Sequence, residues 1–342
     1  MQKAIRYLYY LLFLLVPIVL WPYTSEVFEF NKTVVVYVLT TLITASWIIR
    51  CIITKKIIFR RTILDIPIVV FIICLFFSTI FSIDPRTSLF GYYSRFNGGL
   101  LSIISYFLLY WAYVANMDAK STIKAISVLL SSAVIVSIYG VLEHFGIDKN
   151  IWVQDVQNRV FSSLGQPNWL AAWLVCLIPI SWALYLKKDT KSWIFYAIST
   201  LFFLTLLFTK SRSGLLGFVI ADIIFWVILL LREKKQIVKK AVYVHLTFVT
   251  LVAIFGTPWS ASIFKTQIQP TPTTPSPALE TGGTESGTIR KIVWKGAVEI
   301  WKHYPILGSG VETFAFSYYK FRPTEHNLTS EWDFIYNKAH NE

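Results

Sequence analysis

Charge is scarce in this 342-residue chain: Asp, Glu, Lys and Arg make up 15% of it, against 55% hydrophobic and 17% aromatic residues. A water-soluble domain carries about 25% charged residues, and a mean hydropathy of +0.56 assigns the chain to a lipid bilayer. The same apolar content excludes an intrinsically disordered chain. Cysteine is also rare. Cys51, Cys74 and Cys176 each sit inside an apolar run, which excludes a disulfide scaffold and leaves no redox compartment to be read. No Asp-x-Asp pair, His-Glu-x-x-His, Cys-x-x-Cys or Walker-type glycine loop occurs, so a metal-bound nucleotide donor and an ATPase both lack their machinery. Glu26 and Glu29 come nearest to an acidic metal pair and read as a solvated face.

What is present is apolar sequence in long runs. A hydrocarbon core of about 30 Å needs roughly 20 apolar residues per helix, and nine runs of about that length lie near 5–21, 33–53, 63–83, 98–115, 123–142, 168–186, 192–209, 213–231 and 240–256. Trp21, Tyr23, Trp111, Tyr113, Trp169 and Trp193 stand at their ends, where a ring with a polar edge suits the headgroup level. The first run reads as an uncleaved anchor, because Trp21-Pro22-Tyr23-Thr24 offers no small-residue cleavage site. The expectation is an all-α polytopic membrane protein, with a transmembrane bundle over 1–256 and an outer segment over 257–342.

The formal net charge of +13 would suggest nucleic acid in a soluble protein. Its distribution removes that reading. With the N-terminus in the cytoplasm, the inner segments hold 17 basic residues and four acids, an excess of 13 that equals the whole formal charge. Basic residues are retained on the cytoplasmic side, so the charge reports topology, membrane lipids replace nucleic acid as its partner, and residues 257–342 fall outside. Within them, 266–288 is rich in Pro and Thr and reads as a tether. Val293, Trp294, Ala297, Ile300, Trp301 and Tyr304 then recur at helical spacing, predicting an amphipathic helix over 289–303 that Pro305 and Gly308-Ser309-Gly310 terminate.

Several outer loops are richer than plain connections. Arg95 stands in Ser88-Leu89-Phe90-Gly91-Tyr92-Tyr93-Ser94-Arg95-Phe96-Asn97-Gly98-Gly99, and Arg159 opens the loop that reaches Gly165-Gln166-Pro167-Asn168. Lys210 and Arg212 occupy the tight turn Thr209-Lys210-Ser211-Arg212-Ser213-Gly214, Arg290 opens the amphipathic helix, and His340 lies in Ala339-His340-Asn341-Glu342. A guanidinium presents a planar fork suited to two phosphate oxygens, so several around one outer cavity make a pyrophosphate site. The plain alternative is that Arg95, Arg159 and Arg212 snorkel to lipid headgroups. Inside the spans, Asp222 is costly enough to suggest function, and His245 is readily satisfied against a neighbouring helix.

These strings, in this order and on one side of the membrane, resemble the O-antigen ligase and polymerase superfamily. The resemblance rests on Ser88-Leu89-Phe90-Gly91, Gly98-Gly99-Leu100, Gly165-Gln166-Pro167-Asn168-Trp169, Thr209 to Gly214, Arg290 to Trp294, His303-Tyr304-Pro305-Ile306-Leu307-Gly308-Ser309-Gly310 and Ala339-His340-Asn341-Glu342. It implies a bacterial inner-membrane enzyme that moves a glycan from an undecaprenyl pyrophosphate donor to a lipid, glycan or protein acceptor, with inversion and without metal or cofactor. It also implies spans beyond residue 342, so that the chain reads as the N-terminal part of a longer protein. By the resemblance Arg212, Arg290 and His340 are catalytic. Arg95, Arg159, Lys210 and Trp294 are then expected to bind pyrophosphate or glycan. Ligation, polymerisation and protein glycosylation share this donor chemistry and stay open, and a transporter of inorganic carbon or another small anion is the competing class.

Overall fold

The computed structural model describes residues 1–93, 96–187, 192–232, 236–260 and 286–339. Every one of the nine apolar runs coincides with a helix: α1 (Gln2–Ile18), α2 (Glu29–Thr54), α3 (Asp65–Ile80), α5 (Leu100–Asn116), α6 (Ala119–His144), α7 (Pro167–Tyr185), α8 (Ser192–Phe208), α9 (Arg212–Arg232) and α10 (Gln236–Phe255). A short α4 (Pro85–Phe90) precedes α5, and α11 (Ser286–His303) and α12 (Phe314–Phe321) belong to the C-terminal segment. Strands are absent among the described residues, where Thr257 and Ser260 form one isolated bridge. Helices α2, α6, α7, α9 and α10 are long and apolar enough to cross a membrane, and α3, α5 and α8 are shorter apolar helices.

Local chemistry sets the helix ends. Glu26, expected on a solvated face, instead accepts the backbone N–H groups of Phe28 and Phe30 and so caps the entry to α2. Asp84 caps α4, with Pro85 at its first position. Asp118 caps α6 through Ser121 N–H, and that backbone bond holds its carboxyl below the usual carboxylate range. Each satisfies an N–H that the helix itself cannot pair.

Packing divides the chain into two units, the first comprising Met1–Ile5, Val36–Asn116 and Ile268–Glu342, the second Arg6–Val35 and Met117–Gln267. In the second, Trp182 of α7 is fully buried and meets Phe218, Phe225 and Trp226 of α9 and Phe248 of α10. Buried aromatics of this size dominate the packing of a core. The Arg6–Asp118 ion pair at 2.7 Å ties Arg6 of α1 to the residue that caps α6.

In the first unit, α3 and α5 pack together, and Arg50 donates to Asn116 at 2.6 Å. Its C-terminal segment has its own small core of Ile289, Val293, Ile300, Tyr318 and Tyr336. Burial pushes the Tyr318 phenol up to about 12, so the hydroxyl keeps its proton and donates to Nδ1 of the fully buried His326 at 2.7 Å. The other ring nitrogen then donates to the Glu331 carbonyl at 3.1 Å. The helix expected over 289–303 begins at Ser286 and ends at His303 as anticipated, before Pro305. Its buried face differs from the expected one. Residues 289, 293, 296 and 300 point inward, while Trp294 and Trp301 are 42% and 63% exposed. Tyr318 closes over Gly296, so the stripe without bulk at its centre is the one that packs, and the two indoles stay outside.

Candidate active site

The sequence strings converge in two corners, one within each unit. In the second unit, the loop before α7 and the turn before α9 meet. Asn168 and Ser211 are joined by a hydrogen bond of 2.8 Å, and a Cβ on Gly214 would stand 2.5 Å from that of Ala171. Real carbon atoms do not approach so closely, so glycine at 214 is what lets α9 start against α7. Ser211, itself buried, accepts the N–H of Gly214 at 3.1 Å and caps α9. Gln166 accepts the N–H of Trp169 at 2.9 Å and caps α7, whose first residue is Pro167. Two helix N-termini, each carrying a partial positive charge, therefore open side by side.

Three cations surround them. Arg159 donates through Nε to the Thr209 carbonyl at 3.2 Å and approaches the Asn168 side chain at 3.4 Å. Lys210 donates to the side chain of Asn158. Arg212, the first residue of α9, is exposed. The turn between α8 and α9 holds Lys210 in left-handed backbone at φ 46°. Of the four non-glycine residues with that conformation among those described, Ser162, Lys210 and Glu312 lie in loops carrying these strings, where strained backbone commonly serves a site.

Beneath the Arg159 loop lies a residue that sequence reasoning passed over. Glu143, in the last turn of α6, is fully buried. One of its carboxylate oxygens accepts two backbone donors, Ser162 N–H at 2.7 Å and Phe161 N–H at 3.2 Å. Such a carboxylate fixes the strained turn that separates Arg159 from Gln166. Its one sequence signal is an acid near the end of an apolar run, which looks the same as an ordinary helix terminus.

The first unit holds the other corner. Ser78 donates to the Leu307 carbonyl at 2.8 Å, Ile83 N–H to that of Ser309 at 3.0 Å, and Ser88 to that of Val311 at 2.8 Å. The Gly308-Ser309-Gly310 turn is thereby tied to the segment joining α3 and α4. Arg290 is exposed in the second turn of α11. Trp294 donates its ring N–H to the carbonyl of Ala339 at 3.0 Å, which fixes the residue directly before His340. Arg95 and His340 lie outside the described residues. The structure thus brings Arg159, Lys210 and Arg212 together in one unit, and places Arg290 and Trp294 on one helix of the other.

Two further features bear on chemistry. Asp222 and His245, weighed separately in the sequence, meet between α9 and α10 at 3.2 Å beside an apolar cavity of about 360 Å³. Among the described residues no group of three or more His, Cys, Asp or Glu side chains forms a metal-binding cluster.

The segment that carries Lys210, Arg212, Arg290 and Trp294 is also the part of the chain with a recognisable relationship. Residues 197–342 match the O-antigen ligase family. The match covers somewhat under half of the chain and agrees with the superfamily recognised from the motifs. No curated protein and no solved structure matches the chain. The O-antigen ligase match takes in the Thr209–Gly214 turn, the start of α11, the glycine-rich turn after it and the His340 motif. The Gly165-Gln166-Pro167-Asn168 string lies ahead of the match, and its tie to that turn rests on the Asn168–Ser211 bond.

Proposed function

We propose that the protein transfers a glycan from an undecaprenyl pyrophosphate donor to an acceptor hydroxyl at the outer face of the bacterial inner membrane, with inversion at the anomeric carbon. The observation that carries this reading is the corner where the α7 and α9 N-termini open beside Arg159, Lys210 and Arg212. Helix N-termini are ready-made sites for phosphate oxygens. Three cations at one corner more than match the two negative charges of a donor pyrophosphate, and their attraction is discounted by solvent because all three are exposed. The match to the O-antigen ligase family supports the same class of transfer.

In the reaction proposed, the acceptor oxygen forms a bond to the anomeric carbon as the bond from that carbon to the pyrophosphate oxygen breaks. The electron pair leaves with the pyrophosphate. Arg212 acts as a donor toward the charge that grows there, which stabilises the transition state more than the ground state, and the resemblance gives Arg290 the same kind of role. His340 takes the proton of the acceptor hydroxyl, a task suited to an imidazole with an unperturbed pKa of about 6.5. A single displacement inverts the configuration. The outer location rests on the charge distribution, and the division into a bundle over 1–256 and an outer segment over 257–342 goes with it.

The deciding experiment supplies the full-length protein in detergent with an undecaprenyl pyrophosphate glycan and acceptor, without added metal, and measures transfer. Absence of turnover with every acceptor class would sink the proposal. The Asp222–His245 pair within the spans favours transport as a second reading, because a titratable pair inside a membrane suits an ion path. Uptake of labelled bicarbonate into proteoliposomes that falls in Asp222→Asn would establish it, and uptake equal to that of empty vesicles would remove it.

A further inference from the structure

Between α11 and the chain that returns past it lies an open cavity of about 670 Å³, within the range of small-ligand sites. Trp301, Tyr304 and Phe314 give it aromatic walls, and Glu312, Asn337 and Lys338 give it polar ones. Trp301 is 63% exposed, so its indole face is open at the cavity. Glu312 is the more telling residue. Its backbone is left-handed at φ 57°, where a side chain is strained, and its side chain is only 12% exposed. The carboxylate lies so close over Gly98 that a Cβ there would collide with it. The chain therefore bears a residue in left-handed backbone that holds one largely buried carboxylate at this cavity.

The polar wall then decides what the cavity suits. Glu312 stands 3.9 Å from Lys338, so a carboxylate and an ammonium lie side by side there. They present an acceptor beside a donor, and the Asn337 amide offers the same combination on one plane. Adjacent hydroxyls of a sugar ring need that alternation, and the C–H face of such a ring packs on an exposed indole. We propose that this cavity is a saccharide subsite, in which Trp301 stacks on a pyranose ring and Glu312, Asn337 and Lys338 hydrogen-bond its hydroxyls. The proposal rests on the glycan-transfer reading and adds to it the sugar-recognising surface, which lies next to the segment that Trp294 pins at Ala339.

The test uses the full-length protein in detergent and two lipid-free probes, titrated by calorimetry. One is the glycan released by mild acid from the source cell's polyprenyl-pyrophosphate-linked fraction, and the other is glycan released from its envelope. The parent is expected to bind one of them, and the one it binds identifies the subsite as donor-side or acceptor-side. Trp301→Ala should bind about tenfold more weakly, and Trp301→Phe should restore most of the loss. Glu312→Gln should weaken binding as well. Arg212→Lys should lose transfer yet keep saccharide binding, because a different charge centre is touched. If the parent binds neither glycan, or Trp301→Ala binds as tightly as the parent, the subsite is overturned whatever the transfer assay gives. If the parent binds saccharide and Trp301→Ala loses it while no transfer occurs with any acceptor, the subsite stands and the transfer reading fails.

Discussion

Glu143 gives the sharpest test of how the Arg159 loop is held. Removing its carboxylate in Glu143→Ala leaves the N–H groups of Phe161 and Ser162 without their acceptor, in a place where Glu143, Phe161 and Ser162 are all buried. An unpaired buried donor costs about 1–3 kcal/mol, so the pair should cost about 2–6 kcal/mol, and the cavity left by the side chain adds to that. Glu143→Gln keeps one oxygen in place to accept both donors. Its amide nitrogen falls where the second carboxylate oxygen already lies buried without a partner, so its cost should be about 1 kcal/mol. The assay is thermal unfolding in detergent together with limited proteolysis across 155–166. Glu143→Ala should unfold well below the parent and be cut in this loop, and Glu143→Gln should behave nearly as the parent. Transfer should follow the same order, since the loop positions Arg159. Equal stability and equal protease resistance in Glu143→Ala would refute the reasoning, because the two hydrogen bonds would then contribute nothing.

Gly214→Ala should be destabilising by about 1–3 kcal/mol through overpacking against Ala171, and Ala171→Gly in the same chain should recover most of the loss in a double-mutant cycle. Lys at Arg212 or Arg290 keeps the charge and loses the planar fork, so transfer should fall at least about tenfold while expression and membrane insertion stay normal. Parental activity in Arg290→Lys would make Arg290 a helix residue with no role in gripping pyrophosphate. His340→Ala should abolish transfer while binding of the lipid-linked donor survives, and loss of both would move the histidine into the phosphate site. In a cysteine-free background, a single cysteine at Lys56 should resist a membrane-impermeant label applied to intact cells, whereas labelling there would reverse the topology.

The sequence by itself determined the helical architecture, because hydrophobic run length and the positions of Pro and Gly are local quantities. Its nine runs coincide with helices, and α11 stops at His303, before Pro305, as its pattern indicates. It also supplied the residues worth naming, since a guanidinium in a glycine-rich loop between apolar runs is unusual whatever it touches. Tertiary structure decided their grouping. Asn168 and Ser211 are 43 positions apart and become neighbours only because Gly214 admits Ala171, and no periodicity encodes that pairing. Likewise the face of α11 that packs was settled by Tyr318 closing over Gly296, against the aromatic stripe that hydrophobicity alone selects. Glu143 was illegible for the same reason: a buried acid has meaning only through the two N–H groups it meets, and those lie on a loop that α6 does not predict.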